Sequence, residues 1–435
     1  MRSRPKRTRN GIARPGGRGC RSGSGRRSAR ARGPIGGKRP PPRPGRSPRP
    51  PPGPGRSPRR ERDRARGLRN RALLRRLGRP GPPECAARRC RRDVRGLGHV
   101  WAERIVILVT GAAGFLGREV VRQLRARGAT VRAVDMVEDA PPAEGVERMT
   151  GDLVDPAFCR AVVPGVQAVV HSAAVQFHTP GVPRFRIEPF FRRNAAMTRA
   201  LLDASIAAGV RRFVLVSSDM VYGPPARPGL LREDAPTHPV GPYGRSKVES
   251  EAHARAARGR FEDVTILRPS VIIGPGRLGL LQKLFDMVRT GRAVPMFGPG
   301  HNRHHMIAVD DLARACLLAL DRGTHGTYNV ASQNPPTTRE MLSELCRRAG
   351  SSSILMALPT PPLQLALRML WSVRLSPMNP EQFLIAPVDY VLDTSAARNE
   401  LGFEARRHDT DTMVDTYRWY VETLGDGHRA PSALR

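Results

Sequence analysis

A short apolar run that ends in a three-glycine turn fixes most of what this chain can fold into. Arg104-Ile105-Val106-Ile107-Leu108-Val109-Thr110 leads directly into Gly111-Ala112-Ala113-Gly114-Phe115-Leu116-Gly117, a GxxGxxG spacing. The run reads as a strand buried on both faces, and Phe115 to Arg127 reads as a helix stopped by Gly128. Between a strand and a helix, each glycine serves a separate purpose. Gly111 permits the tight turn, Gly114 lets backbone N–H groups approach a pyrophosphate, and Gly117 lets the helix pack on the sheet. The helix start then offers its partial positive charge to phosphates, with Ala113, Phe115 and Leu116 on the same turn. Three glycines alone are a weak signal, because many loops contain them; strand, turn, helix and second strand in this order make it a dinucleotide fingerprint.

The alternation continues. Strands are expected at Thr130–Asp135, Val146–Gly151, Gln167–His171, Arg212–Ser218 and Val264–Arg268, and long helices at 188–208 and 243–258. This βαβ order predicts an α/β, Rossmann-type doubly wound parallel sheet with helices on both faces. After Pro269 the regularity weakens: helical patterns recur near 278–290, 309–322, 338–349 and 410–424, a short strand is expected at Thr327–Val330, and the proline-rich 351–392 breaks the alternation. The expected organisation is a dinucleotide-binding core at 101–269, a sheet-completing and smaller substrate-capping region at 270–424, and a tail at 425–435.

Residues 1–100 differ in kind. They hold 33 of the 74 Lys and Arg residues and only four acids, Glu61, Asp63, Glu84 and Asp93. Rich in Arg, Pro and Gly, this arm lacks the apolar surface needed to offset the entropy of ordering, and is expected to be disordered. No aromatic residue interleaves its arginines before Trp101, so a base-stacking platform is missing and nucleic-acid binding is disfavoured. Almost every cation is Arg, as GC-rich coding gives, so the arm also reads as text upstream of a start at Val100.

Six cysteines without CxxC spacing fit neither a zinc site nor a disulfide framework, which points to a reducing, cytoplasmic setting. No run approaches the ~18 apolar residues of a membrane span, and no apolar signal core stands near the N-terminus. His301, His304 and His305 cluster, but no carboxylate or Cys accompanies them, so no metal is expected; Arg303 among them suits a substrate phosphate or carboxylate.

Four further residues carry chemistry. Asp135 ends the second strand, 18 residues after Gly117. An acid there bonds the adenosine ribose 2′-OH and repels a 2′-phosphate, favouring NAD over NADP. Tyr243 and Lys247 stand i,i+4 on one helix face, where an ammonium beside a phenol favours the phenolate and suits acid/base work on a substrate hydroxyl. Ser218 closes the fifth strand at the carboxyl edge of the sheet, where ligands bind; as a bland alternative, it bonds its own backbone.

With TGAAGFLG at 110–117, GDL at 151–153, HSAA at 171–174, Asn194, VSSDMVYG at 216–223, YGRSK at 243–247, LRPSVIIGPG at 267–276, VDDLA at 309–313 and LGF at 401–403, residues 104–424 resemble the extended short-chain dehydrogenase/reductase superfamily, in its NAD-dependent epimerase/dehydratase branch. The resemblance implies Ser218, Tyr243 and Lys247 as the catalytic set, with Lys247 also holding the nicotinamide ribose and Asn194 ordering the site. It places Asp152 and Leu153 around the adenine, Ala173 beside the cofactor and Asp219 near substrate, and it implies a homodimer. The implied reaction is hydride transfer at a secondary alcohol or sugar carbon. The family's dehydratases carry adjacent Asp-Glu after the catalytic Ser/Thr; here the pair is Asp219-Met220, which disfavours dehydration. Nucleotide-sugar members carry an Asn soon after the strand-six Arg and an Arg before the VDD segment; Ser270 and His304 stand in the corresponding places. The RPSVIIGPG wording resembles 3β-hydroxysteroid dehydrogenase-like members, leaving a hydroxy-lipid substrate as an alternative. A non-catalytic, NAD-binding regulatory protein is the alternative of another class. The apolar run Leu363 to Trp371 is expected to be a packed helix, with a lipid-like pocket or a membrane surface as other readings.

Overall fold

The computed structural model describes residues 105–138, 144–176, 188–225, 229–279, 281–373, 375–376 and 378–425. The basic arm, its expected disorder and Cys20, Cys85 and Cys90 lie outside the described residues, as does the tail beyond Gly425. The main sheet has seven strands: β1 Val106–Thr110, β2 Thr130–Asp135, β3 Val146–Thr150, β4 Val166–His171, β5 Arg212–Val216, β6 Asp263–Pro269 and β7 Thr327–Val330. Their spatial order is β7-β6-β5-β4-β1-β2-β3, and every pairing is parallel. The order reverses between β1 and β4, and such a switch point opens a crevice outside the carboxyl ends of the strands.

Strand alternation explains the two-sided burial. In β1, Ile107 and Val109 face one core with Leu116, Val120 and Leu124 of helix α1 (Phe115–Ala126), while Leu108 faces the other. Helix α2 (Pro156–Val162) was not expected from the sequence, although its signals are ordinary: the Asp155 carboxylate caps Ala157 N–H at 2.8 Å and Pro156 opens the first turn. Helices α3 (Glu188–Ala207) and α4 (Pro242–Ala256) pack on each other over the Leu108 face, burying Phe191, Leu201 and Ala254.

Downstream, the strand Val271–Ile273 pairs with Met306–Ala308, Val294–Phe297 with Leu355–Leu358, and Leu230–Leu231 with Val391–Leu392, all parallel. Helix α5 (Leu281–Thr290), α6 (Val309–Arg322) and α7 (Thr338–Arg348) follow the expected pattern. Helix α6 belongs to the first core with α1, contributing Leu312, Cys316 and Leu320. The proline-rich stretch is more regular than its sequence implies, because two prolines sit at helix starts rather than inside helices. Pro361 opens α8 (Thr360–Ser372) and Pro380 opens α9 (Pro380–Ile385), the latter with an Asn379–Gln382 capping box. The apolar run is thus a helix, but a poorly covered one: Leu367 is buried, whereas Leu365, Met369 and Val373 are 54%, 60% and 61% exposed. Helix α10 (Asp409–Gly425) closes a third core with Phe285, Met296, Leu345, Tyr417 and Tyr420. Among the described residues, no helix is long and apolar enough to cross a membrane.

Candidate active site

The glycine turn sits at the carboxyl end of β1 and is shaped by close backbone approaches. Gly111 has φ +69°, and a Cβ there would lie 2.8 Å from Ala173 Cα on the loop after β4. A Cβ on Gly117 would lie 2.0 Å from the Gly111 carbonyl oxygen, so α1 could not approach the turn. A Cβ on Gly114 would meet that same oxygen at 3.0 Å. Leu116 is buried beneath the turn. Asp135, at the end of β2, accepts the Ala113 N–H at 2.9 Å through one carboxylate oxygen and the Met136 N–H at 2.7 Å through the other. The acid expected at the ribose and the turn expected at the pyrophosphate are therefore neighbours, and a cradle that a Cβ would fill fits a dinucleotide. Arg132 is engaged by Glu147 at 2.8 Å and by the Val162 carbonyl at 2.9 Å, so no guanidinium of β2 competes for the place of Asp135.

Asp152 pairs with Arg193 of α3, a partner not singled out from sequence, and caps Val154 N–H at 3.0 Å. Leu153 is buried beside it. Ala173 N–H donates to Thr110 Oγ1 at 3.3 Å, and Thr110 Oγ1 lies 2.7 Å from Nδ1 of the buried His171. Burial and the field of Lys247 push His171 down to about 3, so this imidazole stays neutral and serves as a hydrogen-bonding strut.

Asn194 is fully engaged. Its Oδ1 accepts Val175 N–H at 2.7 Å, and its Nδ2 donates to the Val175 carbonyl and to Ser246 Oγ, both at 3.1 Å. It fastens α3 to the loop after β4 and to α4, and so acts as a positioning residue.

Tyr243 and Lys247 occupy the first turns of α4, both buried. Lys247 Nζ lies 6.0 Å from the Tyr243 ring centroid and donates to the Val216 carbonyl at 2.9 Å. Burial lowers Lys247 to about 8, with Glu251 opposing. The phenol departs from expectation. Burial pushes Tyr243 up to about 12; the cation that opposes this is Arg277, not Lys247, and a hydrogen bond with Ser218 acts in the same direction, while Asp219 and Glu381 act against it. Sequence spacing put the ammonium near the phenol, but its bond to the strand carbonyl directs it elsewhere.

Ser218 caps a short turn over Asp219–Val221, accepting Met220 N–H at 3.2 Å and donating to Asp219 Oδ1 at 3.1 Å. The backbone bond expected of a strand-end serine is present, and the same hydroxyl is also hydrogen-bonded to Tyr243. Asp219 is buried, and burial pushes its carboxyl up to about 7. Tyr390 donates to the Asp219 carbonyl at 2.6 Å.

Arg303 is not brought into this constellation by its side chain. It is exposed, its N–H donates to Asp389 Oδ1 at 2.8 Å, and it bridges to Thr337. His304 lies 3.1 Å from the Ala386 carbonyl and stacks on Tyr390 at 6.2 Å; His305 accepts Leu392 N–H at 2.9 Å. His304 and His305 thus tie the segment 303–305 to 386–392. No group of three ligand-type side chains that could hold a metal occurs among the described residues.

Sequence reading missed two groups on Tyr243. Glu381, on α9, accepts Tyr243 N–H at 3.2 Å and Gly244 N–H at 3.5 Å, capping α4 from a segment 138 residues away. Arg277 donates to Gln176 Oε1 at 3.2 Å and lies 5.8 Å from the Phe115 ring centroid. In a chain with 74 Lys and Arg residues, one Arg after a Gly-Pro-Gly gave no local signal. Beneath the site, the buried Arg268 and Glu251 pair at 2.8 and 2.9 Å, and Ser217 donates to Glu251 at 2.6 Å, locking β5, β6 and α4 together.

Residues 107–331 match the NAD dependent epimerase/dehydratase family. A dTDP-glucose 4,6-dehydratase of Streptomyces niveus is 31% identical over 336 residues, covering 72% of this chain and 92% of that protein. The structure of MoeE5 in complex with UDP-glucuronic acid and NAD is 27% identical with a TM-score of 0.58, covering 73% of this chain and 99% of that one. DesIV, a dTDP-glucose 4,6-dehydratase from Streptomyces venezuelae with NAD bound, is 28% identical with a TM-score of 0.60, over 74% of this chain and 98% of that one.

Proposed function

The chain belongs to the NAD-dependent epimerase/dehydratase family and is an NAD-binding enzyme; from that premise we propose that it oxidises a secondary alcohol carbon of a nucleotide-linked sugar, with Tyr243 as the acid/base. The observation that carries this reading is the meeting of Tyr243, Ser218 and Lys247 at the carboxyl end of β5, on the same edge of the sheet as the glycine turn after β1 and Asp135 at the end of β2. The sugar nucleotide rests on relatives such as the dTDP-glucose 4,6-dehydratase and the MoeE5 complex with UDP-glucuronic acid. A sterol demethylase protein and a 2-alkyl-3-oxoalkanoate reductase, also similar to this chain, keep the hydroxy-lipid substrate as the alternative.

The dinucleotide supplies the hydride acceptor. The Ser218 hydroxyl holds the substrate hydroxyl against the Tyr243 oxygen. As the C–H bond breaks, Tyr243 takes the hydroxyl proton, which leaves a carbonyl at the reacting carbon. Lys247 and Asn194 hold the ribose and α4 in register. An epimerase returns the hydride to the other face of the carbonyl; a dehydrogenase releases the ketone. Elimination of water needs a second acid/base group beside Asp219, and Met220 offers none.

The test is incubation of the full chain with NAD and UDP-glucose, dTDP-glucose or UDP-glucuronic acid, followed by NADH absorbance and mass analysis. Oxidised or epimerised sugar without loss of water is expected. Tyr243→Phe should lower kcat roughly 10²–10⁴-fold with NAD affinity unchanged. Undiminished turnover in Tyr243→Phe would remove the acid/base assignment, and a product lighter by one water would remove the exclusion of dehydration.

A further inference from the structure

The segment 274–277 lies against the glycine turn from the opposite side of the crevice. A Cβ on Gly274 would sit 3.3 Å from Phe115 Cζ, and one on Gly276 would sit 3.6 Å from Phe115 Cε2. Both glycines have positive φ, +151° and +101°, so the backbone there is bent into a shape that side chains resist. The bend delivers Arg277, whose guanidinium reaches over the Phe115 ring and to Gln176, the residues that follow the ends of β1 and β4.

The neighbours of this guanidinium are unusual for a half-buried cation. They are a neutral amide, an aromatic ring and the Tyr243 phenol. Among the described residues, no carboxylate pairs with Arg277. Other arginines beside the site have one: Arg193 has Asp152, and Arg268 has Glu251. Removing a charge from water without a counter-ion is costly, so a guanidinium held this way in a ligand crevice awaits an anion. Burial already holds Arg277 below the ordinary arginine range, with only Tyr243 opposing.

Building on the proposed function, we infer that Arg277 is a pyrophosphate-binding residue, closing over the ligand from the side opposite the glycine turn. The planar fork suits two phosphate oxygens at once. The turn supplies backbone N–H groups and the partial charge of a helix start; Arg277 supplies the full charge that neither provides. A pyrophosphate is shared by the dinucleotide and by a nucleoside diphosphate sugar. The second source has its own support: Ser270 stands where the family's nucleotide-sugar members carry Asn, and its hydroxyl is buried without a partner, so the usual diphosphate contact is missing.

The experiment is calorimetric titration of the full chain, wild type against Arg277→Gln and Arg277→Lys, with NAD, ADP-ribose and adenosine, then with UDP-glucose and uridine in the presence of NAD. Thermal unfolding of each variant confirms folding. Loss of one charge-assisted fork corresponds to ~10–100-fold in affinity. A drop of that size in Arg277→Gln for NAD and ADP-ribose, but not adenosine, assigns the contact to the dinucleotide. The same drop confined to UDP-glucose assigns it to the substrate. In either case Arg277→Lys should fall between, since it keeps the charge and loses the fork. Unchanged affinity for both ligands in a folded Arg277→Gln, with wild type binding NAD, overturns the inference. Failure of the wild type itself to bind NAD is a different result: the cofactor reading falls first, and this inference with it.

Discussion

At the carboxyl end of β5, burial holds the phenol of Tyr243, the proposed acid/base group, in its protonated form. A phenol pushed up to about 12 is a poor base near neutral pH, so whatever favours phenolate in the working complex governs the rate. The guanidinium of Arg277 lowers it, which gives this residue a second, separable readout. Arg277→Gln should move the alkaline rise of kcat to higher pH, whereas Arg277→Lys should leave it nearly in place. A pH–rate profile for all three proteins at saturating ligand checks this; coincident profiles would show that Arg277 does not act on the phenol. That Ser218 closes a strand and that Tyr243 and Lys247 share the first turns of a helix was legible, because each stands at a fixed offset within one element. Which cation faces the phenol was not, because Lys247 has one further bond, to the Val216 carbonyl, that spacing does not record.

At the scale of elements, the placement of α4 depends on α9. Glu381 reaches the first N–H groups of α4, where a carboxylate complements the helix dipole, yet its other oxygen is buried and has no hydrogen-bond partner. Burial pushes Glu381 from 4.5 up to about 7. A carboxyl whose folded pKa lies above its unfolded one binds extra protons in the folded state between those values. Its contribution is therefore complete below about 4.5 and is lost as pH rises through about 7. Wild type should lose stability relative to Glu381→Gln across that window, by up to about 3 kcal/mol at 1.36 kcal/mol per pKa unit. Denaturant unfolding at a series of pH values measures the difference, and parallel curves would mean that Glu381 is already ionised when buried. Helix α8, which packs on α9, was legible only in part. Its apolar sequence foretold a helix but not its exposure, since composition shows that a face is greasy and not whether another element covers it. Leu365→Gln with Met369→Gln should leave thermal stability within ~0.5 kcal/mol, the usual range for exposed positions. A loss of several kcal/mol would show that this face is covered in solution.

Among the described residues, the main sheet separates two apolar cores, and the proposed dinucleotide site lies where that sheet reverses its winding order. The sheet was legible because buried parallel strands are short and uniformly apolar, and because each is followed by a helix of distinct period. Beyond Pro269, Thr327–Val330 was legible as a strand, but the other short pairs were not, since two to four residues carry too few side chains to show a period; the strands 271–273 and 306–308 are defined by their partners. A dinucleotide held by the glycine turn after β1 and by Lys247 beside β5 would bridge both sides of the switch point, so its binding should stabilise the entire fold rather than a loop. A ligand at 100 times its Kd adds about 2.7 kcal/mol to unfolding, which for a domain of this size raises Tm by several degrees. Gly117→Ala removes that linkage at its origin. The added methyl group falls 2.0 Å from the Gly111 carbonyl oxygen, and backbone cannot yield as a flexible side chain would, so α1 must move off the turn. With NAD added, wild type should therefore melt several degrees higher than without it, while Gly117→Ala should melt lower than wild type and gain nothing from NAD. A Gly117→Ala protein that still rises with NAD would mean that the turn tolerates the displaced helix, and that the pyrophosphate is held chiefly from the opposite wall.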